Sequence, residues 1–525
     1  MNTRKWMALT VMALFAIVGA SGCTDLTLPP KSSITDANVF KDAGSYQAFL
    51  AKIYAGLAVS GQEGPAGQPD IQGIDEGFSQ YLRLYWEAEE LPTDEAVIAW
   101  NDIGLPEMNT QLWAGSNQFA VAMYYRIFFQ ISMANEFLRQ TTDDKLASRG
   151  VSDSLKAQIQ QYRAEARFLR AFSYWNGIDL FGNIPLITED YPLNSAPPKQ
   201  ATRADLFNFV IGELKDIHDQ LPVPGPQSYG RATTAADDML QAELFLNDSV
   251  YTGTPDYTDA LAEASAVIGS DAFSLDPNYH HMFEADNNTS PEFIWAITQD
   301  GTHTQTYGGV TFLVHAEVGG SMSAGNYGID GGWDGIRLKP EAYQLYASGD
   351  QRASYFYTSG QSEDVTSIPD FTTGIAAPKF TNMTSGGNAG SNATFVDTDF
   401  PVFRLGEAYL IYAEAQLRGG GGSRAQALAY VNALRERAYG GASGDITDSQ
   451  LTLDFLLAER GRELLWEAHR RTDLVRFGEF TGDKYIWEWK GGTQTGTATD
   501  SFRDLYPIPE SEIVANPNLK QNPGY

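Results

Sequence analysis

The 525-residue chain is 43% hydrophobic and 12% aromatic, with a formal net charge of −30. A chain of that composition folds rather than staying disordered. Its charge excludes a nucleic-acid-binding face and a polybasic membrane patch, and suits neutral or cationic ligands.

The first segment in chain order is "MNTRKWMALTVMALFAIVGASGC". Arg4 and Lys5 precede an apolar run from Trp6 to Ala20, and small residues then lead into Cys23. This is the layout of a secretory signal over residues 1–22, and its apolar run is shorter than the ~20 residues that span a bilayer. Its loss would remove Arg4 and Lys5 and leave a net charge of about −32. Cys23 is the sole cysteine, so it cannot form an internal disulfide. Ala20-Ser21-Gly22-Cys23 resembles a bacterial lipobox. That resemblance implies cleavage before Cys23 and acylation of the new N-terminus, palmitate among the chains added, with an ordinary signal and an incidental cysteine as the alternative. Two or more acyl chains hold a protein stably at a membrane. Residues 23–37, with Pro29-Pro30 and small polar neighbours, read as a lipidated tether. No later segment is apolar enough to span, so the expected protein is tethered, not embedded.

Residues 38–525 read as one domain, mostly α. Arg163 to Gly182 spells a helix: Arg163, Arg167 and Arg170 share one face, Phe168, Phe172 and Trp175 another, and Gly182 stops it. A weak repeat pairs "DMLQAELFLND" with "YTDALAEASAVI", and "GEAYLIYAEAQL" with "RAQALAYVNALRERA". Ala-Glu (Ala242-Glu243, Ala413-Glu414) and Ala-Leu (Ala260-Leu261, Ala427-Leu428) recur in the first and second helices. Small residues at a crossing let two helices approach, as in tetratricopeptide-like pairs. Residues 301–400 hold 16 of the 50 glycines and show no long period. The expected organisation is a helical scaffold over about 38–270 and 404–478, a loop-rich insertion over about 271–403, and an irregular segment 479–525.

Catalytic signatures are missing: there is no G-x-S-x-G, no H-E-x-x-H and no Walker loop. The six histidines are scattered, and the adjacent His280-His281 are poorly spaced as ligands on one strand face. "EADNNTSPE" alternates Asp286, Asn288 and Ser290 like a calcium loop, but Pro291 stands where an EF-hand needs glycine. A capped turn is the expected reading, a looser structural calcium site the alternative, and no other cofactor is expected. Aromatics in polar loops stand out: Trp100 in "AVIAWNDIG", Tyr307 in "QTYGGV" and Trp333 in "DGGWDG". Glycine beside a ring leaves a face uncovered, and an exposed ring suits the C–H face of a sugar. The competing reading is that each ring plugs a local core.

Strings spread over the chain carry a family resemblance: "CTDLTLPP", "ISMANEFL", "RAEARFLRAFSYWNGIDLFGNIPL", "NYHHMFEADNNTSPEFIWAI", "FPVFRLGEAYLIYAEAQL", "LAERGRELLWEAHRRTDLVRFGEF" and "LYPIPESEIVANPNLKQNPGY". In this order they resemble the SusD/RagB family of outer-membrane nutrient-binding lipoproteins of Bacteroidetes. The resemblance implies four tetratricopeptide-like helix pairs supporting an irregular ligand-binding part, with no enzyme activity. It also implies cell-surface exposure, a lipid anchor in the outer membrane, a TonB-dependent SusC-like transporter as partner and an oligomeric nutrient as ligand. "GIDEGFSQYLRLYWEAEELPTDEAVIAWND" is similar to the starch-binding founder of the family. On that similarity Asp75, Arg83, Trp100 and Asn101 match one half of a starch site, and Tyr307 and Trp333 the other. The founder's asparagine comes shortly after its tryptophan, whereas Asn101 follows Trp100 directly. Starch-type α-glucan is therefore the expected ligand. The alternatives are another glycan or a peptide on the same architecture, a glycoside hydrolase with an unmarked carboxylate pair, and a tetratricopeptide adaptor.

Overall fold

The computed structural model describes residue 40, residues 42–192 and residues 195–525. Cys23, the leader and the 23–37 tether lie outside the described residues. Two compact units divide between Gln47 and Ala48. In the first, the Phe40 and Tyr46 rings lie 5.2 Å apart. All that follows concerns the second.

Most scaffold helices begin at a residue whose side chain accepts a first-turn backbone N–H. Helix α1 (Tyr81–Glu90) is capped by Gln80 and leads into the short strand β1 (Val97–Ile98). Asn117 caps α2 (Gln118–Gln140), Ser152 caps α3 (Asp153–Phe181) and Thr202 caps α4 (Arg203–Ile217). Thr233 caps α5 (Thr234–Leu246) and Asp256 caps α6 (Tyr257–Gly269). Each cap satisfies a donor that the helix itself leaves without a partner. α3 ends at Gly182, whose φ of 71° favours glycine.

Between residues 271 and 399 the described chain holds strand β2 (Phe293–Ile297), helix α7 (Gly309–Ala316), strand β3 (Ile336–Arg337), a four-residue helix and several 3₁₀ turns. β4 (Phe400–Arg404) then runs into α8 (Leu405–Leu417), followed by α9 (Arg424–Tyr439), α10 (Leu453–Glu463) and α11 (Arg470–Arg476). Helices pack in succession: α2 on α3, α3 on α4, α5 on α6, α8 on α9. The two copies of the Ala-Glu/Ala-Leu repeat meet, because α6 and α5 both pack on α8. Ala242, Ala260, Ala413 and Ala427 are buried, as close helix approach requires.

The two faces of α3 do different work. Phe168 and Phe172 meet Trp295 of β2 edge-on, each at 5.1 Å. Arg167 and Arg170 pair with Glu213 of α4, and Arg170 also with Glu189. Arg163 donates to Leu138 O and Thr141 Oγ1. These arginines are scaffold ties.

Asp286 of the calcium-like stretch accepts the Ser385 N–H (2.8 Å) and Oγ–H (2.6 Å), holding the Asn287–Thr289 turn.

One buried acid sets a pH dependence. Burial raises the Asp237 carboxyl to about 8, opposed by the Gln241 amide that donates to its Oδ2, while Oδ1 has no partner. A carboxyl whose folded pKa exceeds its unfolded value stabilises the fold in acid and loses that advantage as pH rises. Here the window runs from the ordinary value of 3.8 to about 8. Asp237→Asn keeps the acceptor for Gln241 and cannot ionise. It is expected to flatten the decline and to gain about 1–3 kcal/mol at pH 8, order of magnitude only. Urea unfolding at pH 5 and pH 8 checks it; equal effects at both would refute it.

Candidate functional site

The six residues singled out from the sequence converge on one region. β1 pairs antiparallel with β3, placing Val97 opposite Arg337 and Ile98 opposite Ile336. The ladder continues from Ala99 N–H to Gly335 O at 2.9 Å. Asn109 locks the other edge of β1: its Oδ1 accepts the Ile98 N–H and its Nδ2 donates to Ile98 O. Trp100 and Trp333, just past the paired residues, therefore face each other.

The 333–335 loop is moulded on the end of α7. Trp333 N–H donates to His315 O, Asp334 N–H to Val318 O and Gly335 N–H to Ala316 O, at 2.8–3.1 Å. A helix C-terminus leaves its last carbonyls without partners, and this loop supplies donors to two of them. A Cβ on Gly332 would lie 2.3 Å from Val318 O, and one on Gly335 3.0 Å from the Trp100 ring. The glycines around Trp333 thus permit close docking.

Tyr307 is placed from the other side. Glu76 is buried and accepts Thr306 Oγ1–H at 2.7 Å, Tyr307 N–H at 3.2 Å and the Ser60 hydroxyl. Gln80 Oε1 accepts the Gly309 N–H at 2.9 Å. A Cβ on Gly308 would lie 2.3 Å from Gln80 Cβ, so only glycine lets the 306–309 turn reach α1.

The three rings form a continuous surface. Trp100 and Trp333 centroids lie 6.2 Å apart at 46°, and Trp333 and Tyr307 6.4 Å apart at 50°. Successive tilts of that size curve the surface. Trp100 Nε1–H donates to Trp333 O at 3.0 Å. From behind, Phe312 supports Trp100 at 5.8 Å, Phe395 supports Tyr307 at 5.3 Å, and the His315 ring stacks on Trp333 at 4.5 Å and 22°. Tyr307 is 38% exposed, and both tryptophans are half-buried. Each therefore joins the two readings weighed from sequence: one side packs on the body and the rest stays open.

The polar residues divide. Asp75 and Asn101 are exposed beside the arc, with Asp75 Oδ1 capping the Gly77 N–H at 3.0 Å. Arg83 corrects the expectation that it faces the ligand as part of the site. It lies on the buried helix α1, only 3% exposed, its guanidinium between Phe78 at 4.3 Å and Phe312 at 4.0 Å. Its partner is not Asp75 but Glu87, which accepts from Nε at 2.9 Å. Nη2 meets no acceptor in the protein. Burial lowers the Arg83 pKa against the pull of Glu87, and burial raises Glu87 to about 7 against the pull of Arg83. The cation sits 5.5 Å from the Trp100 ring and braces it from within.

Glu76, Gln80, His315 and Phe395 build the site and went unmarked in the sequence. Glu76 and Gln80 act across more than 200 residues of chain, and no local pattern announces such contacts. No helix among the described residues is long and apolar enough to cross a membrane.

Comparisons with known proteins agree on the architecture. Residues 351–525 match the SusD family. The chain is 36% identical to the starch-binding protein SusD of Bacteroides thetaiotaomicron over the whole of both chains. It is 24% identical to the SusD-like protein P2 of Formosa agariphila, over 99% of this chain and 100% of the relative. Among solved structures, a SusD superfamily protein from B. thetaiotaomicron superposes with a TM-score of 0.71 at 20% identity, covering 92% of this chain and 99% of that one. Surface glycan-binding protein A from B. thetaiotaomicron, in complex with laminarihexaose, does so with a TM-score of 0.70 at 22% identity, covering 91% and 99%. The fold is thus the mostly helical, tetratricopeptide-like fold of these neighbours. On full-length identity, with the helix pairs and the order of the motifs in agreement, the chain belongs to the SusD family.

Proposed function

We propose that this protein is a non-catalytic, cell-surface glycan-binding lipoprotein. It captures oligosaccharides of the starch type and passes them to a TonB-dependent outer-membrane transporter of the SusC kind. The observation that carries the reading is the curved, partly open arc of Trp100, Trp333 and Tyr307. Ring faces stack on the C–H faces of sugars, and exposed Asp75 and Asn101 beside them offer hydrogen-bonding groups to hydroxyls. A curved arc fits a helical α-glucan better than a flat chain. The name of the starch-binding relative supports the same choice, while the laminarihexaose neighbour shows that its own site takes a different glucan.

The test is a calorimetric screen of the 24–525 fragment against maltoheptaose, laminarihexaose, dextran, inulin and peptides. Maltoheptaose is expected to bind with no reducing sugar released over time. Preference for a peptide would remove the glycan reading, and steady release of sugar would mark the protein as a hydrolase.

Anchoring has its own test. Cys23→Ala is expected to abolish incorporation of radiolabelled fatty acid and to free the protein from the outer membrane. Label retained on the variant would refute lipidation at Cys23. Uptake needs a separate channel in this reading, because no described helix spans a bilayer.

A further inference from the structure

A second concave region lies on the loop-rich side, around Tyr229. This residue sits on the turn between α4 and α5, where Ser228 Oγ–H is shared between Val223 O and Gly225 O and Gly230 adopts a φ of 72°. Tyr229 is 36% exposed, and its hydroxyl donates to Asp399. Three cavities, of about 520, 500 and 310 Å³, all open onto its ring. β2 and the residues just after it form their shared floor. Such volumes are in the range of small-molecule sites.

The lining has a definite chemistry. Asp300, Asp397, Asp399 and Asn288 wall the middle cavity. Every one of the three carboxylates is held by N–H or O–H donors: Asp399 by Gln299 N and Tyr229, Asp397 by Gly301 N and Ser391, Asp300 by Thr302 and His303. The wall is therefore rigid. Gln299 lines the same cavity, is 9% exposed, and its Nε2 meets no acceptor in the protein. A buried donor without a partner costs free energy that a ligand oxygen can recover. Among the described residues the one cation on the three walls, Arg231, is already engaged by Glu165. Anionic ligands find no free positive charge here. A neutral polyhydroxylated chain finds a ring and several acceptors.

Two strands of chain connect this cleft to the aromatic arc. Residues 300–307 run from Asp300 to Tyr307, and residues 395–397 run from Phe395, which packs on Tyr307, to Asp397. Gly301 N–H donates to Asp397 Oδ1 at 2.7 Å and ties the two together.

From this geometry we infer that the Tyr229 cleft is a second glycan subsite. It takes the far portion of a neutral oligosaccharide whose other end lies on Trp100, Trp333 and Tyr307. This inference rests on the glycan reading given above. Joining two subsites through one chain makes the second contact intramolecular, so affinity rises with chain length.

The experiment is calorimetry of the 24–525 protein with maltotriose and with maltodecaose, on wild type, Tyr229→Ala, Thr298→Arg and Trp333→Ala, with thermal melting in parallel. Thr298 is exposed and lines two of the three cavities, so arginine there fills the cleft beside the carboxylate wall while leaving every wall residue in place. Wild type is expected to bind the longer chain about tenfold or more tighter, the loss equivalent to one aromatic anchor. Tyr229→Ala and Thr298→Arg should each bring maltodecaose down to the short-chain affinity and leave maltotriose unchanged. Trp333→Ala should weaken both. Undiminished maltodecaose binding by two folded cleft variants overturns the subsite and leaves the arc intact. Equal affinity of wild type for both lengths also overturns it. Wild type that binds neither sugar removes the glycan reading itself, and this inference with it. A tetralysine peptide bound by wild type and lost in Thr298→Arg would overturn it in favour of a cationic peptide site.

Discussion

Trp100→Ala and Trp333→Ala are each expected to weaken maltoheptaose binding by about 1–3 kcal/mol, the order of losing a buried aromatic anchor. The double variant is expected to lose less than the sum. The two rings touch, and Trp100 Nε1–H donates to the backbone carbonyl of Trp333, so removing either already disturbs the other. Trp100→Phe separates the contributions: it keeps a ring over Phe312 and drops the hydrogen bond. If stacking dominates, Trp100→Phe should retain most of the affinity. If the hydrogen bond that fixes the Trp333 loop dominates, it should behave like alanine. The body should stay folded, since the loop also hangs on three backbone bonds to the end of α7 and its neighbour Val318. Melting followed beside calorimetry distinguishes the cases. Unchanged affinity in both single variants would remove the site, and lost affinity with a collapsed melting temperature would assign the rings to core packing.

The largest stability effect is expected at Arg404. Its guanidinium, 1% exposed, bonds Glu292 at 2.9 Å, Glu463 at 2.7 Å and Glu467 at 2.6 Å. Arg437 reaches Glu292 and Glu463, Arg352 reaches Glu459 and Glu463, and Lys379 reaches Glu467. This buried network ties β4, α9 and α10 to the insertion. Burial alone would raise the Glu463 carboxyl; Arg437, Arg404 and Arg352 together overcome it and hold it well below its ordinary range. Arg404→Met leaves three buried carboxylates short of a partner and is expected to cost about 3–5 kcal/mol, as breaking buried pairs does. Arg424→Ala is the control. That side chain is 39% exposed, its pair with Asp448 is screened by water, and the expected cost is about 0–1 kcal/mol. Urea midpoints for the two variants test the contrast; equal costs would refute it. The pH sign also follows. A carboxyl depressed in the fold stabilises above its unfolded pKa and loses that contribution as pH falls toward its folded value. The wild-type contribution should therefore be full at pH 7 and fade below the ordinary 4.5, and Arg404→Met should lose part of that acid sensitivity.

The arginines of "RAEARFLRA" and "ERGRELLWEAHRR" make the same point about reading charge. In sequence they belong to amphipathic helices, and nothing local names their partners. In the fold Arg170, Arg460, Arg470 and Arg471 are nearly inaccessible and answered by carboxylates from other elements. Charge alone did not distinguish a surface stripe from an internal clamp. The partners of Arg471, Glu89 and Asp179, lie on two helices far away in the chain.

The sequence by itself determined the helical class and much of the local structure. Helix α3 could be read because its pattern repeats every three to four residues and its end carries a glycine. The helix pairs could be read because alanine recurs where helices cross. These are short-range properties, written within a turn or two of the residues concerned. The family was legible for a related reason: the order of many such local strings spans the whole chain. Only the tertiary structure decided how the arc is assembled and what stands behind it. β1 and β3 are two residues each, too short to show any period, yet their pairing brings Trp100 to Trp333 across more than 200 residues. Similarity alone makes Arg83 a ligand contact. Its burial follows from Phe78 and Phe312 closing over it, and Phe312 arrives on a helix from the insertion. Burial depends on what packs from elsewhere, and the arc exists only once a remote loop has given its N–H groups to the carbonyls at the end of α7.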